Sequence, residues 1–207
     1  MATDKWANPQ KMWDERFSQP EPVYGDAPND FLQAQAFRLQ PGMKVLVPGD
    51  GYGRNGIWLA RQGLQVHTVD LSPVGVKRAQ KAARAAGVRM TIELGDLSVW
   101  DWPQEELDAV VSIFMHLPPE LRVKVHASML RAVKPGGMVI LEAFTPAQLQ
   151  HSSGGPKQVE LLYAADMLRR DFAPAEALEL EEKERELDEG RMHRGLASVV
   201  RAVFQKK

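Results

Sequence analysis

Short apolar stretches alternate with amphipathic ones through the first 144 residues of the chain. Each stretch is five to seven residues long and is bounded by glycine, proline or polar residues, which is typical of buried strands. Such strands are predicted at 44–48, 65–70, 89–94, 108–114 and 138–144. Helices are predicted between them at 54–62, 73–86 and 119–133. Alternating strands and helices predict an α/β fold, a parallel sheet with helices on both faces.

The two ends of the chain depart from this alternation. Residues 1–28 are rich in Trp, Pro, Asp and Glu, and we expect irregular structure there with at most one helical turn. A helix capped by Asn29 or Asp30 is predicted to run to about Leu39. Another helix is predicted at 159–170.

Two late strands are predicted at 178–185 and 195–204. Only a short polar connection separates them, so they are expected to pair as an antiparallel hairpin at one edge of the sheet. The acidic run at 179–189 is interpreted as a solvated strand face and turn.

Composition excludes several classes of protein. The chain has 207 residues with 26 basic and 27 acidic side chains, so neither nucleic acid nor a membrane surface is expected as a partner. It has no cysteine, which excludes disulfides and a catalytic thiol. No spacing of His, Asp or Glu suggests a metal site, and no apolar run is long enough to span a membrane. We expect a cytoplasmic protein with one domain, in which segment 1–28 precedes an α/β core at 29–207.

A glycine-rich turn, V-L-V-P-G-D-G-Y-G-R-N, occupies residues 45–55 and joins the first strand to the next helix. Ligands of open parallel sheets bind beyond the carboxyl ends of the strands. Glycines let the backbone approach a ligand, and a helix N-terminus favours negative charge. Residues 51–56 match the dinucleotide pattern G-x-G-x-x-G, but a lone match also fits a plain tight turn.

Two acidic positions indicate an adenosine ligand. Asp70 ends the second strand, where a carboxylate accepts hydrogen bonds from both hydroxyls of a ribose; capping of the helix at Ser72-Pro73 is the alternative. Asp96 follows the third strand, where it is placed to accept from the amino group of adenine. Its neighbour Leu97 would cover the ring.

A family resemblance rests on the order of five motifs. V-P-G-D-G-Y-G-R-N, V-D-L-S, G-D-L, V-S-I-F-M-H-L and V-K-P-G-G together resemble the class I S-adenosylmethionine-dependent methyltransferases over nearly the whole chain. The N-terminal W-D-E-R-F and the late E-L-D-E-G-R-M-H-R-G are similar to a bacterial subgroup near the tellurite-resistance and the thiopurine or thiol methyltransferases. The resemblance implies a Rossmann-like, seven-stranded sheet whose last strand is antiparallel. It also implies S-adenosylmethionine as cofactor and a small methyl acceptor, such as a thiol or an oxyanion of tellurium or selenium.

The resemblance also assigns a cofactor site. The residues expected in it are Gly49, Asp50, Gly51, Gly53, Arg54, Asn55, Asp70, Leu71, Ser72, Asp96, Leu97 and Ile113. Val47 stands where most of the family has an acid near the methionine ammonium, and this departure points toward the thiopurine and thiol branch. Asp50 either takes over part of that attraction or faces solvent at the turn.

Four aromatic residues, Trp6, Trp13, Phe17 and Tyr24, lie in the N-terminal segment. In the resembling subgroup this segment covers the site, so a lid over cofactor and acceptor is expected, with Arg16 meeting the cofactor carboxylate. A hydrophobic clasp on the domain surface is the alternative.

His116 follows the fourth strand at the edge that faces the methyl group in this family, and it is the candidate general base. The alternative is a hydrogen-bonded loop histidine. His151 and His193 lie on loops that could reach the same place but are expected to be surface polar residues. His67 and His126 are expected to be structural.

Two rival functions stay open. An NAD-linked oxidoreductase would use the literal G-x-G-x-x-G, but it leaves Asp96 and Leu97 unexplained and lacks a separate substrate domain. A non-catalytic module that senses S-adenosylmethionine or its demethylated product is kept open by Val47, since a fold alone does not settle function.

Overall fold

A seven-stranded sheet forms the centre of the protein in the computed structural model, which describes residues 8–207. The strands are β1 (Lys44–Pro48), β2 (Gln65–Asp70), β3 (Thr91–Leu94), β4 (Leu107–Ile113), β5 (Val133–Phe144), β6 (Ala175–Asp188) and β7 (Arg194–Lys206). Their order across the sheet is β3-β2-β1-β4-β5-β7-β6. Strands β1 to β5 pair in parallel, and β7 runs antiparallel to both β5 and β6. The Rossmann-like α/β fold and the edge hairpin predicted from the sequence are confirmed.

Six α-helices accompany the sheet within the described residues. They are α1 (Pro9–Phe17), α2 (Asp30–Ala34), α3 (Arg54–Arg61), α4 (Pro73–Ala85), α5 (Pro119–Ala132) and α6 (Ala165–Asp171). Helix α4 begins as predicted, with Ser72 accepting a hydrogen bond from the Gly75 N–H and Pro73 in the first turn. None of the helices in residues 8–207 combines the length and the apolar character needed to cross a bilayer.

The N-terminal segment contains more helix than the sequence predicted. Helix α1 has nine residues, and the side chain of Asn8 caps it by accepting from the Lys11 N–H. The helix has no clear apolar period, because only Met12 and Phe17 are buried. Its position therefore depends on its cap and on packing against α4, which no periodicity reveals.

Two other predicted helices are interrupted. The helix expected from Asp30 to Leu39 ends at Ala34 and continues as a 3₁₀ turn at Ala36–Arg38. The helix expected at 159–170 is a 3₁₀ turn at Val159–Leu161 followed, after three residues, by α6. Between these two, the N–H of Tyr163 donates to the carbonyl of Phe144, so the chain is extended where it meets the end of β5.

Apolar side chains fill both faces of the sheet. Strand β1 shows the alternation, because Leu46 packs into one cluster with Val110 and Leu141. Its neighbours Val45 and Val47 pack into the other cluster, against α3 and the N-terminal part of the chain. Because β1 to β5 are parallel, their carboxyl ends meet at one edge of the sheet, where the loops of the candidate site converge.

Candidate active site

Two glycines of the glycine turn line a cavity, and a third packs against helix α4. Gly49 and Gly51 have φ of 68° and 59° and line the cavity. A Cβ built on Gly51 would lie 2.7 Å from Cζ of Phe17, so a side chain there would displace the segment that covers the turn. Gly53 starts α3 and faces α4, since a Cβ there would lie 3.0 Å from Cβ of Ala79. It serves the packing of the two helices and does not line the cavity.

Asp70 joins the glycine turn to the start of α4. Its Oδ2 accepts from the Gly51 N–H at 2.8 Å and its Oδ1 accepts from the Ser72 N–H at 2.8 Å. Burial raises the pKa of this carboxyl group, and the two backbone hydrogen bonds oppose that rise. Ser72 is the N-cap of α4, and Asp70 supports that cap by accepting from the Ser72 N–H. Ribose binding by the same carboxylate stays a prediction.

The residues assigned to the adenosine end do not line the cavity. Asp96 is exposed, and its Oδ1 accepts from the Ser98 N–H at 2.9 Å. Leu97 is half-buried against the core, and the Trp102 indole N–H donates to its carbonyl. Leu71 is half-buried, and the Ser72 hydroxyl bonds to a carboxylate oxygen of Asp14 in α1. Helix α1 is therefore attached at this end of the site.

Asp50 is buried, so the interpretation that it faces solvent is wrong. Its Oδ2 accepts from the Gly56 N–H at 2.9 Å in the first turn of α3. Its Oδ1 is buried and has no hydrogen-bond partner in the structure. Burial raises the pKa of Asp50 to about 7, although the Gly56 N–H and the Arg54 guanidinium act in the opposite direction. Asp50 lines the cavity, while Oδ1 itself is enclosed by neighbouring atoms. Its pairing with the methionine ammonium stays a prediction.

A cavity of about 630 Å³ opens between the glycine turn, the N-terminal segment and the β6–β7 turn. This volume is ordinary for a small-molecule site. Apolar side chains of Ile113, Phe114 and Phe144 line it at the ends of β4 and β5. Phe114 has a φ of 51°, a strained value for an aromatic residue, and its ring stacks on Phe144 with centroids 4.5 Å apart.

The N-terminal segment supplies one wall of this cavity. Its lining residues are Met12, Trp13, Arg16, Phe17 and Tyr24. Arg16 lies 4.8 Å from the ring centroid of Trp13 and donates to the Tyr24 hydroxyl at 3.0 Å. The segment thus covers one side of the cavity, and its function as a lid stays a prediction. The part of the expected lid at 1–7, with Trp6, lies outside the described residues.

His116 is buried and both of its ring nitrogens bond to backbone groups. The Phe144 N–H can only donate, so Nε2 of His116 accepts this hydrogen bond at 3.2 Å. The ring proton must therefore lie on Nδ1, which donates to the Leu161 carbonyl at 2.6 Å. Burial lowers the pKa of His116 to about 4. These contacts favour the hydrogen-bonded loop histidine over a base with a free nitrogen. The general-base assignment of His116 stays a prediction.

His193 is buried, and the expectation of a surface polar residue was wrong. Its ring centroid lies 4.6 Å from that of Tyr24 and 4.7 Å from that of Phe114. Its Nδ1 is buried without a hydrogen-bond partner. Burial holds the pKa of His193 well below its ordinary value, and the charges of Arg54 and Arg16 act in the same direction. The site therefore contains a neutral imidazole with an unused nitrogen.

The other three histidines are placed away from the cavity lining. His151 lies 3.1 Å from a carboxylate oxygen of Glu184. His67 pairs with Glu93 at the edge of the sheet, and His126 pairs with Asp171 in the core.

Positive charge dominates the cavity lining. Arg16, Arg54, Lys157 and Arg191 line it, whereas Asp50 is the one carboxylate among the lining residues. Arg54 is paired with Glu189 at 2.6 Å, and no ion pair with an acid is seen for the other three within residues 8–207. Lys157 and Arg191 were missed from the sequence, because they lie in loops whose direction no pattern specifies.

Comparison with known proteins finds relatives of the chain. Residues 45–137, which run from β1 into β5, match the family described as a methyltransferase domain. The ubiquinone biosynthesis O-methyltransferase of Xanthomonas axonopodis pv. citri is 33% identical over 153 residues, 70% of this chain and 62% of that protein. The chain thus spans less than two thirds of that curated relative. By name, similar proteins include N-, C- and S-methyltransferases, among them a thiopurine S-methyltransferase of Bordetella petrii.

Two solved structures show the same fold. One comes from work on the conversion of a disulfide bond into a thioacetal group during echinomycin biosynthesis. It has a TM-score of 0.78 at 20% identity and covers 96% of this chain and 91% of that chain. The other is TehB from Haemophilus influenzae, with a TM-score of 0.72 at 21% identity over 96% of this chain and 67% of that chain. Residues 45–137 therefore match a methyltransferase domain, and the chain has the Rossmann-like fold of these two structures.

Proposed function

We propose that the protein is an S-adenosylmethionine-dependent methyltransferase whose acceptor is a small anion or a group that ionises readily. A thiol and an oxyanion of tellurium or selenium are the acceptors of this kind. The observation that carries the proposal is one cavity lined by Gly49, Gly51 and Asp50 and also by Lys157 and Arg191, two cations for which no ion pair is seen within residues 8–207. One end of the cavity suits the cofactor and the other suits the acceptor.

The cofactor end fits the methionine part of S-adenosylmethionine. Gly49 and Gly51 allow close approach of the backbone, Asp50 faces the ammonium group, and Arg16 receives the carboxylate. Asp70 receives the ribose, with Asp96 and Leu97 at the adenine. When bound, the cofactor supplies a methyl group on a sulfonium, which is already activated for displacement.

The acceptor end keeps its positive charge when the cofactor is bound, because the sulfonium and ammonium of the cofactor outnumber its single carboxylate. The carboxylate of the cofactor offsets one cation, Arg16, and leaves Lys157 and Arg191 at the mouth of the cavity. Positive potential raises the local concentration of anions and lowers the pKa of a bound thiol. The aromatic rings of Phe114 and Phe144 exclude water from the reacting atoms.

His193 is the proton acceptor when the methyl acceptor arrives protonated. It is neutral, it lies among the aromatic rings of the acceptor end, and Nδ1 has no other partner. A thiolate or an oxyanion already carries its negative charge and needs no base. The same site therefore serves both kinds of acceptor, with His193 required for only one of them.

The test is a methyl-transfer assay with labelled S-adenosylmethionine over a panel of thiols, tellurite, selenite and small phenols. We expect transfer to thiols or oxyanions and little to neutral phenols. A Lys157→Gln, Arg191→Gln double variant should raise the KM for the acceptor about tenfold or more, and leave cofactor affinity nearly unchanged. Preference for a neutral phenol, with no effect of the double variant, would show that the cations do not bind the acceptor.

Calorimetry separates this function from the two rivals. S-adenosylmethionine should bind and NAD should not. Binding of NAD alone would overturn the proposal in favour of an oxidoreductase. Tight cofactor binding with no transfer across the whole panel would favour a non-catalytic sensor.

A further inference from the structure

Side chains of the glycine turn hold the segment that leads from α1 to α2. The Tyr52 hydroxyl accepts from the Tyr24 N–H at 2.9 Å and donates to the Gly25 carbonyl at 3.0 Å. Asn55 Oδ1 accepts from the Asn29 N–H at 2.9 Å. Beyond binding a cofactor, the turn is thus a point of attachment for other parts of the cavity wall.

Arg54 connects this turn to the β6–β7 turn. Its Nη1 donates to the Ala27 carbonyl at 3.2 Å, and its Nη2 donates to Glu189 Oε2 at 2.6 Å. Only 7% of the Arg54 side chain and 5% of the Glu189 side chain are exposed. A buried ion pair gains little net stability because both charges lose their hydration, so a role in specifying geometry is the better explanation.

Glu189 begins the turn that carries His193. The Glu189 N–H donates to the His193 carbonyl at 2.8 Å, and the His193 N–H donates to the Gly190 carbonyl at 3.0 Å. The Met192 N–H donates to the Val23 carbonyl at 3.0 Å, which attaches the turn to the N-terminal segment. A displacement of Glu189 would therefore displace His193.

The other oxygen of Glu189 is anchored in the sheet. Glu189 Oε1 accepts from Asn29 Nδ2 at 3.0 Å and from Arg185 Nη1 at 3.3 Å. Arg185 also donates to Glu142, a fully buried carboxylate on β5. Glu189 consequently has Oε1 bonded to Asn29 and Arg185 and Oε2 bonded to Arg54 of the glycine turn.

We propose that the Arg54–Glu189 ion pair sets the position of the β6–β7 turn, which carries His193, relative to the glycine turn. This makes Glu189 a positioning residue for methyl transfer. This inference rests on the proposed function. Methyl transfer requires the nucleophile, the methyl carbon and the leaving sulfur to lie in line, and a misplacement of about 1 Å costs about 100-fold in rate. The Arg54–Glu189 contact between the two turns keeps His193 at a fixed distance from the cofactor.

The kinetic test compares Glu189→Gln with Glu189→Asp and with Asp30→Asn. Asp30 pairs with the other side of Arg185 and is mostly exposed, so its variant removes an acid from the same network without touching the turn. We expect Glu189→Gln to lower kcat about 10–100-fold while cofactor affinity changes less than threefold. Glu189→Asp, which keeps the charge and guards against a variant that fails to fold, should lose less. Asp30→Asn should stay within twofold of the wild type.

Two kinetic results would overturn the proposal. A lower Tm for Glu189→Gln with kcat unchanged would make the residue purely structural. An equal kcat loss in Asp30→Asn would assign the effect to the charge of the network as a whole.

Hydrogen exchange tests the coupling without any acceptor. Binding of S-adenosylhomocysteine to the wild-type protein should slow exchange at residues 189–193, because it orders the turn that carries Arg54. In Glu189→Gln this slowing should be lost although the ligand still binds. Equal slowing in both proteins would overturn the coupling. Failure of the wild type to bind S-adenosylhomocysteine would instead contradict the proposed function.

Discussion

The N–H of Phe144 donates to Nε2 of His116 at 3.2 Å, and this single contact fixes the tautomer of the buried imidazole. The proton lies on Nδ1 and is donated to the Leu161 carbonyl. His116 thereby joins the loop after β4 to the end of β5 and to the 3₁₀ turn at Val159–Leu161.

His116→Ala is expected to destabilise the protein, because it leaves two buried backbone groups without partners at about 1–3 kcal/mol each. Cofactor affinity should stay nearly unchanged. Denaturant unfolding and turnover of the same variant give the measurement. A loss of about 10²–10⁴-fold in turnover with little loss of stability would instead show that His116 acts as the general base.

Acid should destabilise the protein through the same residue. The pKa of His116 is about 4 in the folded state against 6.5 for an ordinary histidine. The unfolded chain binds more protons between these values, so the contribution is complete above pH 6.5 and is lost as the pH falls toward 4. His193 acts in the same direction. For His116 alone this amounts to about 3 kcal/mol. Unfolding free energies at pH 7 and pH 4.5 measure it, and a His116→Gln variant should lose less on acidification than the wild type.

Asp70→Ala should weaken S-adenosylmethionine binding strongly. The carboxylate holds the Gly51 and Ser72 N–H groups and is the predicted partner of the ribose hydroxyls, whose charge-assisted hydrogen bonds contribute about 1.5–3 kcal/mol each. Calorimetry measures the loss, and 2′-deoxy and 3′-deoxy cofactor analogues serve as controls. If Asp70→Ala weakens binding of the deoxy analogues and of the full cofactor by the same factor, the carboxylate does not bind the ribose hydroxyls and acts only on the turn.

Much of the fold follows from the sequence, and particular residues show where prediction ends. The Ser72-Pro73 cap and the glycine turn are local signals, and they place α3 and α4. His193 carries no such signal. Its burial results from the N-terminal segment and two strand ends that meet around it, which are contacts between residues far apart in sequence. The same reason explains why Glu189, read as part of a solvated acidic run, is buried against Arg54.

Asp50→Asn should reduce cofactor affinity in a pH-dependent way. The pKa of Asp50 is about 7, so the wild-type carboxylate ionises across neutral pH and pairs better with the ammonium group as the pH rises from 6 to 8. The variant should lose that rise. An analogue without the ammonium group should bind both proteins equally. Equal losses for both ligands would place Asp50 outside the ammonium site.

The stability of Asp50→Asn gives an independent check on the same group. Its folded pKa lies above the value of 3.8 for an ordinary aspartate, so stability is complete below about pH 4 and falls as the pH rises toward 7. Asparagine removes this fall. The difference in unfolding free energy between variant and wild type should therefore shift in favour of the variant between pH 5 and pH 8.

His193→Gln should separate the two kinds of acceptor. Turnover of a thiol that arrives protonated should fall about 10²–10⁴-fold near neutral pH, because the variant has no base. The loss should shrink above the pKa of the thiol, and an oxyanion should be methylated at nearly the wild-type rate. The measurement is kcat/KM against pH for one thiol and one oxyanion. An equal loss for both acceptors at every pH would make His193 a packing residue.

The N-terminal segment should move when ligand binds. The ring of Phe17 lies directly over Gly51, and Arg78 of α4 holds the Phe17 carbonyl at 2.6 Å, so the segment closes the cavity from the side of α4. A ligand of the size of S-adenosylmethionine must enter and leave, and we expect this contact to open when it does. Hydrogen exchange over residues 8–25 should be fast without ligand and slow with S-adenosylhomocysteine. Arg78→Gln removes the hold on Phe17 and should speed both association and dissociation of the ligand while its Kd changes less. If exchange in this segment is the same with and without ligand, the segment is a fixed clasp on the domain surface and not a lid.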